Sequence, residues 1–186
     1  AIDDFFTPEE CDRYIELSTS ESVMKSRSPT VGKDSASKAQ RTSTTFYHKY
    51  KHVPEFLSKA CRLLGMTHIA NFEEPQTVRY RRNEKFTWHL DAIGPMEQGQ
   101  TTSGQRTATL LVYLTNLQDG EGGATMFRDL GRSKNEFLRV QPTKGTALLF
   151  FPAAGGIDTA PFDIRTLHCG EVVASDAVSD KWIAQL

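Results

Sequence analysis

Phe86-Thr87-Trp88-His89-Leu90-Asp91-Ala92 is the stretch that organises the chain. Its mix of aromatic, β-branched and alternating polar residues reads as a β-strand over 86–92. Side chains alternate across a strand, so His89 and Asp91 project from one face while Leu90 points the other way. One strand thereby delivers an imidazole and a carboxylate to a common point. A His-x-Asp triplet also occurs as an ordinary hydrogen-bonded pair, so the neighbours of this stretch decide its meaning.

Downstream and upstream, short β-type runs are separated by turn residues: 76–81, 106–115, 124–127, 137–141, 146–151, 164–169 and 181–186. A further strand is expected near 42–48, after a polar Ser-, Thr-, Lys- and Gly-containing loop over 26–40. Two helices precede most of this. Thr7-Pro8-Glu9-Glu10 carries an N-cap, a first-turn proline and a capping-box glutamate, which predicts a helix over 8–18. Phe56, Leu57, Ala60, Leu63 and Leu64 form one apolar face over 54–64, with Gly65 placed to end the helix. Helices followed by about eight short strands predict a mainly β, α+β chain: a two-sheet jelly roll with helices packed outside one sheet. No repeat or linker divides it, so one domain over 1–186 is expected. The stretches 94–105 and 153–162 read as loops.

Composition narrows the function. The 186 residues carry a formal net charge of −1, with 38% hydrophobic and 24% charged residues. No strong field favours nucleic acid or an anionic membrane surface. No apolar run is long enough to span a bilayer, and no signal-peptide pattern opens the chain. It begins at Ala1 without Met and stops within the strand over 181–186, so both ends are expected to be trimmed. Cys11, Cys61 and Cys169 are too few and too scattered for a disulfide framework. One pair or none could form, and three free thiols is the simpler expectation.

A third ligand would complete a facial set with His89 and Asp91. His168, in Thr166-Leu167-His168-Cys169-Gly170 on a late strand, is the natural candidate. Two histidines and one carboxylate leave three octahedral positions open, which suits non-haem Fe(II). Zinc is the competing metal, since similar sets serve zinc hydrolases. His48, His52 and His68 lack ligand-type partners and are expected on the surface.

The flanking blocks resemble the prolyl 4-hydroxylase family of Fe(II)- and 2-oxoglutarate-dependent dioxygenases. Tyr80 stands nine residues ahead of His89, as the family's tyrosine does. The run from Arg106 to Leu114 is similar to its long core strand. Glu121-Gly122-Gly123-Ala124-Thr125 is similar to its Glu-Gly-Gly turn, and Pro142 to Phe150 to the segment before the second histidine. Leu167-His168, Lys181-Trp182 and Arg41-Thr42-Ser43 complete the series in the family's order.

The resemblance implies a double-stranded β-helix of the cupin-like kind. It implies Fe(II) on His89, Asp91 and His168, and 2-oxoglutarate and O2 as cosubstrates, with ascorbate in support. Lys181 would pair with the distal carboxylate of 2-oxoglutarate, helped by donors on Tyr80 and Thr125. Arg41, Glu73 and Arg106 would line a groove for a proline-containing peptide hydroxylated at C4, with the loop over 26–40 closing upon it. Residence in the secretory pathway is common in the family, and a cytoplasmic location stays open. Hydroxylation of a free amino acid or small metabolite is the alternative reaction. A non-catalytic β-barrel binding module is the alternative outside catalysis. This chain departs from the pattern at three places. The interval from His168 to Lys181 is longer than usual, with 174–180 as an enlarged turn, and Arg165 is the reserve cation. Phe86 stands where the family often has Tyr. Asn83 occupies a usual Gly position, where Asn tolerates a left-handed turn.

Overall fold

The computed structural model describes residues 1–20, 27–29, 39–94, 104–133, 136–153 and 162–186. Helix α1, Pro8–Thr19, starts as its capping box dictates: the Thr7 side chain accepts from the Glu10 backbone N–H, and the Glu10 carboxylate accepts from the Thr7 N–H. Helix α2, Pro54–Leu64, ends at Gly65, whose φ of 64° is the left-handed conformation that glycine adopts without strain. Phe56, Leu57 and Ala60 form its buried face, and Cys11 and Tyr14 that of α1.

The described residues include ten strands, numbered in chain order: β1 Arg27–Pro29, β2 Thr44–Tyr47, β3 Gln76–Tyr80, β4 Phe86–His89, β5 Thr109–Tyr113, β6 Thr125–Phe127, β7 Leu138–Val140, β8 Ala147–Phe150, β9 His168–Gly170 and β10 Lys181–Gln185. They build two antiparallel sheets, one of six strands in the order β1-β2-β3-β10-β5-β8 and one of four in the order β4-β9-β6-β7. Strand β1 falls within the stretch expected to be a loop. Most of the rest of 26–40 lies outside the described residues, as do 95–103 and 154–161 from the other two expected loops.

Alternation on the central strands divides the core into two layers. From β5, its following residue Leu114, and β10, the side chains Leu110, Val112, Leu114, Trp182 and Ala184 pack with Phe6, Tyr14 and Phe56 of the helical layer. The intervening residues Leu111, Tyr113 and Ile183 turn the other way, toward Phe127 and Phe150, and Val78 and Tyr80 of β3 join them. Strand β5 is therefore buried on both faces, which explains its almost unbroken apolar run. Each such large side chain withdrawn from water contributes roughly 1.5–3 kcal/mol before entropy is counted. Lys181 lies in phase with Ile183, so the alternation aims it between the sheets.

Candidate metal centre

Strands β4 and β9 are antiparallel neighbours, and their register sets His89 directly opposite His168. The expected strand over 86–92 stops at His89, with a register shift between Phe86 and His89. Asp91 sits just beyond, at a bend, and still turns its carboxylate to the two imidazoles. Its Oδ1 is 3.4 Å from His89 Nε2, and its Oδ2 is 3.8 Å from His168 Nε2. One ligand atom from each of the three residues lies within 4.8 Å of the others.

Both rings are held by their far nitrogens. His89 Nδ1 is 2.7 Å from the Thr87 carbonyl, and His168 Nδ1 is 2.9 Å from the Thr166 carbonyl. A carbonyl only accepts, so each Nδ1 donates the proton, which leaves Nε2 as the atom that can offer a lone pair to an ion. Thr109 donates to Asp91 Oδ2 at 2.8 Å. Burial opposes ionisation of Asp91, but its close contacts with His89 and His168 and the Thr109 hydrogen bond outweigh it and hold the carboxyl below its usual range. Burial likewise lowers His168 to about 4 and keeps it neutral. Asp91 and His168 thus stand in their ligand forms at neutral pH. Metal bonds of about 2.1 Å at right angles place donors about 3 Å apart, so small adjustments would fit His89, Asp91 and His168 to one face of an octahedron.

Beside this set, Lys181 is 1% exposed. Its Nζ lies 5.0 Å from the centre of the Tyr80 ring and 5.8 Å from that of Tyr113. Among the described residues no carboxylate pairs with it. Burial lowers its pKa to about 8, and its charge reaches His168. The Tyr113 hydroxyl donates to Thr125 Oγ1 at 2.8 Å, so Lys181, Tyr80, Thr125 and Tyr113 form one buried polar cluster between the sheets. Tyr113 was hidden in the sequence as a member of an apolar strand. Its phase with Thr109, two turns of the pleat away, is the signal that places it on the site's face.

The enlarged turn leaves Lys181 on β10 and buried between the sheets. Lys181 sits opposite Tyr80 in register, and Asp180 is tied to Arg79 and to the Thr115 hydroxyl. Arg165, the reserve cation, has a side chain 68% exposed on a 3-10 turn, where it forks onto Asp163.

Of the three groove residues, Glu73 and Arg106 bind each other through two contacts of 2.6 and 3.0 Å, and Arg106 also donates to the Asp91 carbonyl. Arg41 is half-buried, donating to Ser43 Oγ at 2.8 Å and Thr45 Oγ1 at 2.9 Å. Phe86 lies stacked against His89, with the Arg41 guanidinium over its ring. Asn83 adopts a φ of 66°, in keeping with its place at a usual glycine position. All three cysteines are free. His48 departs from expectation: it is 1% exposed, with Nε2 bonded to Thr77 Oγ1 at 2.7 Å. Its short polar context reads as surface, but β2 hands it to the layer under α1.

Two imidazoles and a carboxylate brought together by adjoining strands, beside a buried lysine that no carboxylate pairs among the described residues, form a set that could hold a metal ion. The sequence model described as the 2OG-Fe(II) oxygenase superfamily matches residues 75–186, and the chain belongs to that superfamily. Prolyl 4-hydroxylase 1 of Arabidopsis thaliana is 30% identical over 201 residues, covering 99% of this chain and 68% of that protein. Prolyl 4-hydroxylase 5 of the same plant is 29% identical over 197 residues, covering 96% of this chain and 65% of its own length. The chain therefore spans about two thirds of these relatives. Among solved structures, the 2OG complex of the viral collagen prolyl hydroxylase from Paramecium bursaria Chlorella virus 1 superposes with a TM-score of 0.72 at 25% identity, over 99% of this chain and 91% of that one. A Pseudomonas putida prolyl-4-hydroxylase shares the fold, with a TM-score of 0.65 at 13% identity over 98% of this chain and 88% of that one.

Proposed function

We propose that this chain is the catalytic domain of an Fe(II)- and 2-oxoglutarate-dependent hydroxylase acting on peptidyl proline. The observation that carries the reading is the cluster of His89, Asp91 and His168 with the buried Lys181 near enough for its charge to act on His168, and with no carboxylate paired to that lysine among the described residues. A dianion between the sheets requires a compensating cation, and a ligand bound through one end to the metal would reach that cation with the other. The two sheets, closing face to face, act as a double-stranded β-helix that keeps this space dry. The chemistry such a metal supplies when bound, with O2, is transfer of one oxygen atom into a C–H bond while 2-oxoglutarate takes the other and becomes succinate and CO2.

The protein's own part is binding and orientation. His89, Asp91 and His168 hold the metal, with Thr87, Thr166 and Thr109 fixing their rings and carboxylate. Lys181, Tyr80 and Thr125 receive the distal carboxylate, and Tyr113 orients Thr125. Arg41, Glu73 and Arg106 stand toward the peptide. The Glu73–Arg106 pair is exposed and exchangeable, so a peptide can take over its donors and acceptors. Ascorbate would keep the metal reduced between turnovers.

The test incubates the chain with Fe(II), ascorbate, 2-oxoglutarate and a panel of proline-rich peptides, and reads succinate and peptide mass together. Succinate with an added oxygen on proline supports the full reading. Succinate with added oxygen only on free proline or another metabolite would replace the substrate. No succinate above that of His168→Ala would reject the enzyme.

A further inference from the structure

We infer that Arg41 and Phe86 form a positioning pair for the metal ligand His89, so that the segment from Arg41 to Thr45 helps to set metal affinity. The inference rests on the reading that His89, Asp91 and His168 hold a metal.

The two histidines are supported unequally. His168 stands on a regular strand, 7% exposed at its side chain, with the rings of Phe127 and Phe150 packed around it. His89 ends a strand whose pairing is irregular, and its side chain is 20% exposed. Besides the Thr87 carbonyl, its ring has one close flat neighbour: Phe86, at 3.6 Å between centroids and 18° between planes. The adjacent His168 ring is tilted by 55° and further off at 4.2 Å. The orientation of His89 therefore depends on where Phe86 is held.

Arg41 holds it. Its guanidinium carbon lies 4.7 Å from the centre of the Phe86 ring, and the two residues are bridged through their backbones. The guanidinium is itself fixed, by Ser43 and Thr45, whose side chains are buried. Thr42 and Lys85 exchange backbone and hydroxyl hydrogen bonds alongside, so the segment is anchored at the foot of β4. Among the described residues no carboxylate neutralises Arg41, which leaves its charge directed at the ring. A cation over an aromatic face and a second ring under a shared stack form one unit, in which loss of either member frees the imidazole. If Arg41 served the peptide alone, metal binding without peptide would ignore it.

Co(II) is a suitable probe, read by calorimetry and by its ligand-field absorption in the intact chain without peptide or cosubstrate. Arg41→Met and Phe86→Leu are each expected to weaken Co(II) binding roughly tenfold, the lower range for partners that orient metal ligands. The double variant should be little weaker than either single one, because both remove the same support. Phe86→Tyr, which keeps the ring, should bind within about twofold of wild type. Should Phe86→Leu fail to fold, Arg41→Met beside Phe86→Tyr still decides. Wild-type affinity in Arg41→Met would overturn the inference, as would fully additive losses. Equal Co(II) binding by wild type and His89→Ala would instead reject the metal site beneath it.

Discussion

In the proposed function Lys181 is the residue on which cosubstrate binding turns, because its burial is costly unless a carboxylate arrives. Burying an ammonium without an anion is unfavourable, and its pKa is accordingly lowered to about 8. Truncating one member of a buried charge pair costs about 2–5 kcal/mol, so Lys181→Met should weaken 2-oxoglutarate binding at least about thirtyfold. Arg165→Ala should leave it unchanged, since that cation is committed to Asp163 at the surface. Calorimetric titration of the two variants beside wild type checks both. The same burial fixes a pH dependence. In the empty pocket Lys181 loses its proton as pH rises through about 8, whereas the bound dianion favours the charged form. Affinity should be level below about pH 7 and fall by up to about tenfold per pH unit above 8, with a proton taken up on binding. An affinity that is flat from pH 7 to about 9.5 would mean that another group meets the carboxylate.

At the scale of elements, the enlarged turn is held by what surrounds it. Gly122 pairs with Val173, and Glu121 receives the N–H of Val178, so the turn over 174–180 rests against the hairpin before β6. Gly122 has a φ of 68°, and a Cβ there would run into the Val172 carbonyl oxygen. Gly122→Ala should therefore destabilise the fold by about 2–4 kcal/mol, combining left-handed strain with a backbone clash. Gly120 is the control: its φ is 95° but its Cβ would meet open space, so Gly120→Ala should cost about 1 kcal/mol. Denaturant midpoints of the pair decide, and equal losses would remove the clash from the account. How much of the architecture was legible follows the same division between local and tertiary causes. Both helices were readable to within a residue or two, since Thr7, Pro8, Pro54 and Gly65 are local signals. The metal triad was readable because the pleat and a late His-containing strand suffice to propose it. Strand β4 was read too long because its register shift and the bend at Asp91 are set by β9, not by propensity. Strand β1 was missed because Arg-Ser-Pro at an edge shows no alternation. Thr109 and Tyr113 passed as ordinary strand residues until the second sheet placed Asp91 and Thr125 against them.

Across the whole molecule, two apolar layers share the six-stranded sheet, and polar groups in each carry different consequences. In the proposed function the layer between the sheets uses its buried polar residues to receive ligands. The layer beneath the helices has no such use for His48, which is lodged between Ser18 of α1 and Thr77 of β3 with its Nδ1 unpartnered. Burial, and then the nearby His52, lower its pKa from 6.5 to about 4. Folding thus keeps His48 neutral where the unfolded chain would protonate it. Between pH 6.5 and about 4 the unfolded state binds the extra proton, so stability falls as pH drops through that window and levels off below it. The full gap corresponds to about 3 kcal/mol, a large share of the stability of a domain this size. His168 shares the direction in the metal-free protein, so wild type alone cannot assign the loss. His48→Leu can: it removes the titrating ring but leaves the metal centre untouched. Its stability at neutral pH will shift through packing and the freed Thr77 hydroxyl. The informative quantity is the slope, measured as the denaturation free energy of the metal-free chain at a series of pH values from 7 to 4. The variant should lose about 3 kcal/mol less than wild type over that range. Parallel curves would show that His48 takes up its proton without opening the helical layer, and that the acid sensitivity belongs to the metal centre.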